Sequence, residues 1–104
     1  VTIFENSENF TERVIALEPK PDIVFLDIHV KPYSGFEMLK VLRQFEWGNK
    51  IPIVALTASV MNEEIYELRT AGFNGCLAKP IHLASFPGTI ERILLGEAIW
   101  RIIS

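Results

Sequence analysis

Three apolar runs mark the chain, and each stops at a polar side chain. They are Pro21–Ile28 (PDIVFLDI), ending around Asp27; Ile51–Ala58 (IPIVALTA), ending around Thr57; and Gly75–Pro80 (GCLAKP), ending around Lys79. Between them the apolar positions recur at helical spacing. Phe10, Val14 and Leu17 predict a helix over Ser7–Glu18, stopped by Pro19 and Pro21. After a turn around Pro32 and Tyr33, Ser34 and Glu37 fit a capping box, in which hydroxyl and carboxylate satisfy opposite free amides. The helix they open turns Phe36, Leu39, Leu42 and Phe45 inward and ends at Gly48 and Asn49. A third helix, Asn62–Ala71, buries Ile65 and Leu68 and stops at Gly72. A fourth is capped by Ser85, tolerates Pro87 in its first turn, buries Ile90, Ile93 and Leu94, and ends at Gly96. Val1–Phe4 reads as one more short strand.

The runs are near-continuously apolar and rich in Ile and Val. That suits parallel strands buried on both faces. Strands alternating with helices imply crossovers and a sheet covered on both sides, the flavodoxin-like, doubly wound α/β class. About four strands and four helices are expected. Ligands of such sheets bind just outside the carboxyl ends of the strands. A carboxylate (Asp27), a hydroxyl (Thr57) and an ammonium (Lys79) would meet there if the three runs are neighbours. Those groups suit a phosphoryl group: a nucleophile, a hydrogen-bond donor and a counter-charge.

Composition narrows the function. The 104 residues make one domain, 49% apolar and 22% charged, with net charge −3. An acidic chain with no clustered basic face argues against nucleic-acid binding. No run approaches the ~18 apolar residues of a membrane span, and no signal or transit segment is visible. Cys76 is the single cysteine, so no internal disulfide forms and a reducing, cytoplasmic location is expected. No glycine-rich phosphate loop follows any strand, which disfavours a flavin- or nucleotide-binding enzyme. Residue 1 is Val, inside a strand-like run, so the chain reads as beginning within a structure.

On these residues the chain resembles the receiver domain of bacterial two-component response regulators. The likeness runs from Val1 to about Leu95. Its anchors are LDI with Asp27, the Pro32…Gly35 turn, ALTA with Thr57 thirty residues later, and KP with Lys79 a further 22 on. The resemblance implies that Asp27 is the phosphoacceptor, that Lys79 offsets phosphoryl charge, and that Thr57 donates to a phosphoryl oxygen. The small Ala58 beside Thr57 leaves room for a phosphodonor. It also implies a cis Lys79–Pro80 bond and a Mg²⁺ ion held by Asp27, by the backbone carbonyl of His29 and by acids at the end of the first strand. The His29 imidazole and His82 are read as surface groups rather than ligands. The implied partners are a histidine kinase or histidine phosphotransfer protein, and the implied role is signalling rather than enzyme turnover. Output would run through a surface built from residues 62–95, which could also form a homodimer. The competing reading is a degenerate pseudo-receiver that binds partners without phosphorylation.

Three positions depart from the family. The acid pair of the first strand lies further upstream of the phosphoacceptor than this chain extends. Val1–Phe4 therefore aligns with the second strand, and the first strand and helix are missing. In the second alignment Val1–Phe4 is the first strand, Glu5 and Asn6 stand in for the acid pair, and a strand–helix unit is deleted. The first alignment is preferred, because one helix leads directly into PDIVFLD. Since the missing strand is central in the 2-1-3-4-5 order, its loss leaves a gap beside Asp22–Asp27, unless Val1–Phe4 or another chain fills it. Cys76 replaces the usual aromatic that reports phosphorylation and reads as a space-filling buried thiol. Lys31 takes the usual proline position, one before Pro32. Beyond the domain at 1–96, the tail at 97–104 carries Ile99, Trp100, Ile102 and Ile103. It can pack on the sheet, seal a dimer or lead into a following domain.

Overall fold

Strand β1 (Thr2–Phe4), helix α1 (Phe10–Ile15), β2 (Val24–Asp27), α2 (Gly35–Arg43), a 3-10 turn (Trp47–Asn49), β3 (Ile53–Thr57), α3 (Asn62–Ala71), β4 (Gly75–Ala78), α4 (Phe86–Leu94) and β5 (Ile99–Ile103) follow one another along the chain. The computed structural model describes residues 2–17, 20–30, 34–58, 62–79, 84, 86–96 and 99–103, without the side chains of Asn62 and 99–103. The turn at Lys31–Tyr33, the Lys79–Pro80 bond, His82 and the Ser85 cap lie outside the described residues.

The five strands form one parallel sheet in the order β1-β2-β3-β4-β5. This is the flavodoxin-like architecture, with a fifth strand where four were expected. Tail residues 99–103 supply it, pairing with β4 across an irregular register. The gap expected beside β2 is closed. β1 occupies that slot itself, with Phe4 level with Leu26, so Val24–Leu26 of β2 have a neighbouring strand on both sides.

Alternation along the strands sorts side chains onto two faces. Val24, Leu26, Ile53, Ala55 and Cys76 join the cluster under α1, α2 and α3, with Phe10, Val14, Met38, Leu39, Leu42 and Leu68. Ile23, Phe25, Val54, Leu56 and Leu77 face α4 and pack with Ile93, Phe86 and Ile90. Cys76 is fully buried and fills space in the first cluster.

Helix ends follow their local chemistry. The Ser34–Glu37 capping box forms as expected. Gly72 and Gly96 close their helices at φ +108° and +96°. Helix α1 starts three residues later than expected, because Asn9 turns left-handed and the Asn6 side-chain oxygen accepts from Glu8 N–H and from Arg13. In α4, Leu94 points outward, half exposed, and Thr89 takes a buried position. That corrects the expected stripe. Met38 is likewise more buried than Phe36.

Gly48 is required by close packing. A Cβ there would lie 1.9 Å from the Leu42 carbonyl oxygen, a backbone atom that cannot step aside. Gly48→Ala is expected to cost about 3 kcal/mol of stability, read as a lower urea midpoint at unchanged slope.

Candidate functional site

The carboxyl ends of β2, β3 and β4 bring together residues that stand 30 and 22 positions apart in the chain. Asp27 closes β2, Thr57 closes β3 and Lys79 follows β4. The register sets Asp27 beside Leu56 and Thr57 beside Ala78, and Lys79 N–H donates to the Thr57 carbonyl at 2.7 Å. The three residues share one rim.

Asp27 is the centre of the group. It is only 7% exposed, yet both its oxygens are engaged. Oδ1 accepts from the His29 backbone N–H at 3.1 Å. Oδ2 accepts from the Lys79 ammonium in a direct ion pair across 52 residues of sequence. Lys79 remains 41% exposed on its side chain, so the cation can be reached from solvent.

Thr57 reaches the rim with its hydroxyl turned elsewhere. Alternation puts residues 53, 55 and 57 on the face of α1–α3, whereas 25 and 27 on β2, with 23 just before it, and 77 on β4, with 79 just after it, belong to the face of α4. The Thr57 hydroxyl accordingly donates to Glu64 Oε1, on the first turns of α3, at 2.7 Å. His29 Nε2 lies 3.4 Å from the same oxygen. The imidazole is a two-thirds exposed loop group, as expected of its position. Ile28, His29, Phe36, Glu63, Glu64 and Glu67 line an open cavity of about 340 Å³ beside this rim. No motif marks Glu64. Its only sequence signal is its place seven residues after Thr57, at the start of the helix that the strand feeds.

At the end of β1, Glu5 comes one residue after Phe4, which pairs with Leu26. Its position is therefore level with Asp27. Asn6 is committed elsewhere. Its side-chain oxygen accepts from Arg13 at 2.7 Å, and Arg13 also reaches the carbonyls of Asn6 and Glu8 and stacks 5.0 Å from the Phe4 ring centre. Of Glu5 and Asn6, Glu5 is the one that offers a carboxylate to a cation. Among the described residues no three His, Cys, Asp or Glu side chains cluster as a ready metal cage.

The start of α2 is held tightly against Ile28. Gly35 N–H donates to the Ile28 carbonyl, and a Cβ on Gly35 would lie 2.6 Å from Ile28 Cα. Only glycine lets α2 begin this close to Asp27 and His29.

No helix among the described residues is long and apolar enough to cross a membrane. Comparison with known proteins agrees with this geometry. Residues 1–91 match the family profile described as the response regulator receiver domain. The polar-differentiation response regulator DivK of Brucella ovis is 34% identical over 84 residues, which cover 81% of this chain and 68% of that protein. The chemotaxis response regulator CheY4 of Vibrio cholerae superposes with TM-score 0.62 at 28% identity, over 69% of this chain and 60% of that one. The non-phosphorylated HemR receiver domain of Leptospira biflexa gives TM-score 0.64 over 89% of this chain and 91% of that one; at 21% identity it speaks to the fold alone. A match spanning β1 to the middle of α4, with a buried aspartate and its lysine where the strands end, places this chain in the response regulator receiver family of two-component signalling.

Proposed function

We propose that this receiver takes a phosphoryl group onto Asp27 from the phosphohistidine of a histidine kinase or histidine phosphotransfer protein. An Asp27 carboxylate oxygen attacks phosphorus, the P–N bond breaks, and the donor histidine leaves with the bond electrons. The product is an acyl phosphate on Asp27. The observation that carries this reading is the Lys79–Asp27 ion pair at the rim. Two anions repel as they approach, and a fixed cation beside the nucleophile offsets that repulsion without reorganising. The His29 N–H holds the other carboxylate oxygen and so orients the attack.

The donor chemistry at the rim fits Mg²⁺. Magnesium takes one or two carboxylates and completes its octahedron with water, so Asp27, Glu5 and the His29 carbonyl would suffice to hold it. When bound, it supplies further positive charge to the phosphoryl oxygens. With one acid at the end of β1, the protein offers this ion fewer ligands than the family's acid pair provides.

Phosphorylation adds about −1.5 to −2 charges at neutral pH. The surface of α3, β4 and α4 would carry that change to a protein partner, and a second copy of the chain is one such partner. The test is intact mass after incubation with acetyl phosphate. The expected result is one added phosphoryl group that depends on Mg²⁺ and is lost with EDTA. No gain by a chain with an intact amide spectrum would favour the phosphorylation-independent interaction module.

A further inference from the structure

Thr57 is buried, and its hydroxyl carries one proton. In this structure that proton goes to Glu64 Oε1 at 2.7 Å. A hydroxyl proton spent on one acceptor is not available to another. The acceptor is a carboxylate, which makes the bond charge-assisted and stronger than a neutral one. The Glu64 side chain is 20% exposed, so water competes for it only weakly, and His29 Nε2 stands 3.4 Å from the same oxygen. Strand alternation adds a second, independent reason. Thr57 belongs to the α3 side of the sheet, while Asp27 and Lys79 belong to the α4 side. Donation to a group on Asp27 therefore requires the Thr57 side chain to rotate away from α3.

We propose that Glu64 is a positioning residue: it holds the Thr57 hydroxyl on α3 until a phosphoryl group on Asp27 competes for it. The proposal rests on the phosphoacceptor reading for its consequence, but the latch itself exists in the unmodified chain. Glu64 then couples the rim to α3. Released from Thr57, its carboxylate is free to move with the first turns of that helix, which also present Glu63 and the largely exposed Tyr66. Rotation of Thr57 and relaxation of the α3 N-terminus become one event.

Two measurements decide it. First, three-bond couplings to the Thr57 methyl carbon report its rotamer in the unphosphorylated chain. Wild type is expected to show one rotamer, Glu64→Ala an average over rotamers, and Glu64→Gln, which keeps an acceptor oxygen, the wild-type rotamer. An unchanged rotamer in a folded Glu64→Ala chain overturns the proposal. Second, the phosphorylated fraction is measured at limiting acetyl phosphate. Glu64→Ala should raise the equilibrium ratio of phosphorylated to unmodified chain by about tenfold, the scale of one charge-assisted hydrogen bond. Glu64→Gln should raise it less. In a Thr57→Ala background the Glu64→Ala gain should vanish. A gain of equal size without the hydroxyl would mean that Glu64 acts only through its charge, which also overturns the proposal. If no variant takes up phosphate while the Glu64→Ala rotamer still averages, the latch stands and the phosphoacceptor reading fails.

Discussion

Asp27→Asn is expected to abolish phosphoryl uptake, and Lys79→Ala to slow it by about 10²–10³-fold. The first change removes the nucleophile. An amide in the same place keeps the shape and accepts the His29 N–H, but its oxygen is a poor attacking group and its nitrogen poorer still. The second removes the charge that the fold has placed against the carboxylate, and losing one preorganised electrostatic donor costs about that factor. The two variants should part company in stability. The amide of the Asp27→Asn chain is neutral and buried, and the lysine left beside it is already 41% exposed and can turn into water. The Lys79→Ala chain instead keeps a carboxylate 7% exposed with its cation gone, which is the costlier error. Rates from quenched phosphorylation time courses and midpoints from urea unfolding check both halves. A phosphoryl group still added to the Asp27→Asn chain, at another residue, would sink the assignment of Asp27.

Arg43→Met is expected to lose about 3 kcal/mol of folding free energy, a fall in Tm of roughly 15 °C for a domain of this size. Arg43 closes α2 and acts as a bracket at the opposite end of the sheet from Asp27. One guanidinium nitrogen donates to the carbonyls of Gly48 and Ile51, at 2.9 and 3.0 Å. The other donates to the Gly72 carbonyl at 3.0 Å and to Asn74 Oδ1 at 2.7 Å. Asn74 Oδ1 also accepts from Ile53 N–H at 2.8 Å. Three segments distant in sequence thus share one cation: the turn after α2, the entry to β3 and the link from α3 to β4. Burial pulls the Arg43 pKa below its ordinary value, and the group stays charged at any working pH. Methionine keeps the apolar stem and removes every donor, so the loss isolates the hydrogen bonds. Lys50→Met is the control. Its contact with Glu46 at 3.3 Å lies in the open, and the change should stay within about 0.5 kcal/mol of wild type. Thermal unfolding of the three proteins checks the ordering. At temperatures where Arg43→Met is folded, its phosphorylation should match wild type, because the bracket and the rim sit at opposite ends of the strands.

The residues behind these two outcomes differ in how plainly the chain announces them. Asp27, Thr57 and Lys79 are legible because each ends an apolar run, and a parallel sheet puts all its carboxyl ends on one rim. Arg43 carries no such signal. It reads as an ordinary basic residue in a last helical turn, and its partners lie up to 31 residues away. The same holds at the other end of the sheet. Glu64 and Glu63 look alike as acids in the first turn of α3, yet only the packing of that helix over β3 shows that Glu64 meets Thr57. Helix α1 illustrates a smaller failure. Its apolar spacing is right, but Asn6 and Asn9 spend Ser7–Asn9 on a turn, a local competition between side chain and backbone that periodicity does not register.

From the residue order come the alternation of strands and helices, the capping box, the glycine stops and the three polar ends of the apolar runs. All are local, set by side-chain period and backbone preference within a few residues. Tertiary structure alone decided that β1 lies against β2, that residues 99–103 join the sheet edge, and that the Thr57 hydroxyl donates to Glu64. Those outcomes depend on which surfaces meet, and meeting is governed by total burial and hydrogen-bond satisfaction across the whole chain rather than by any one segment.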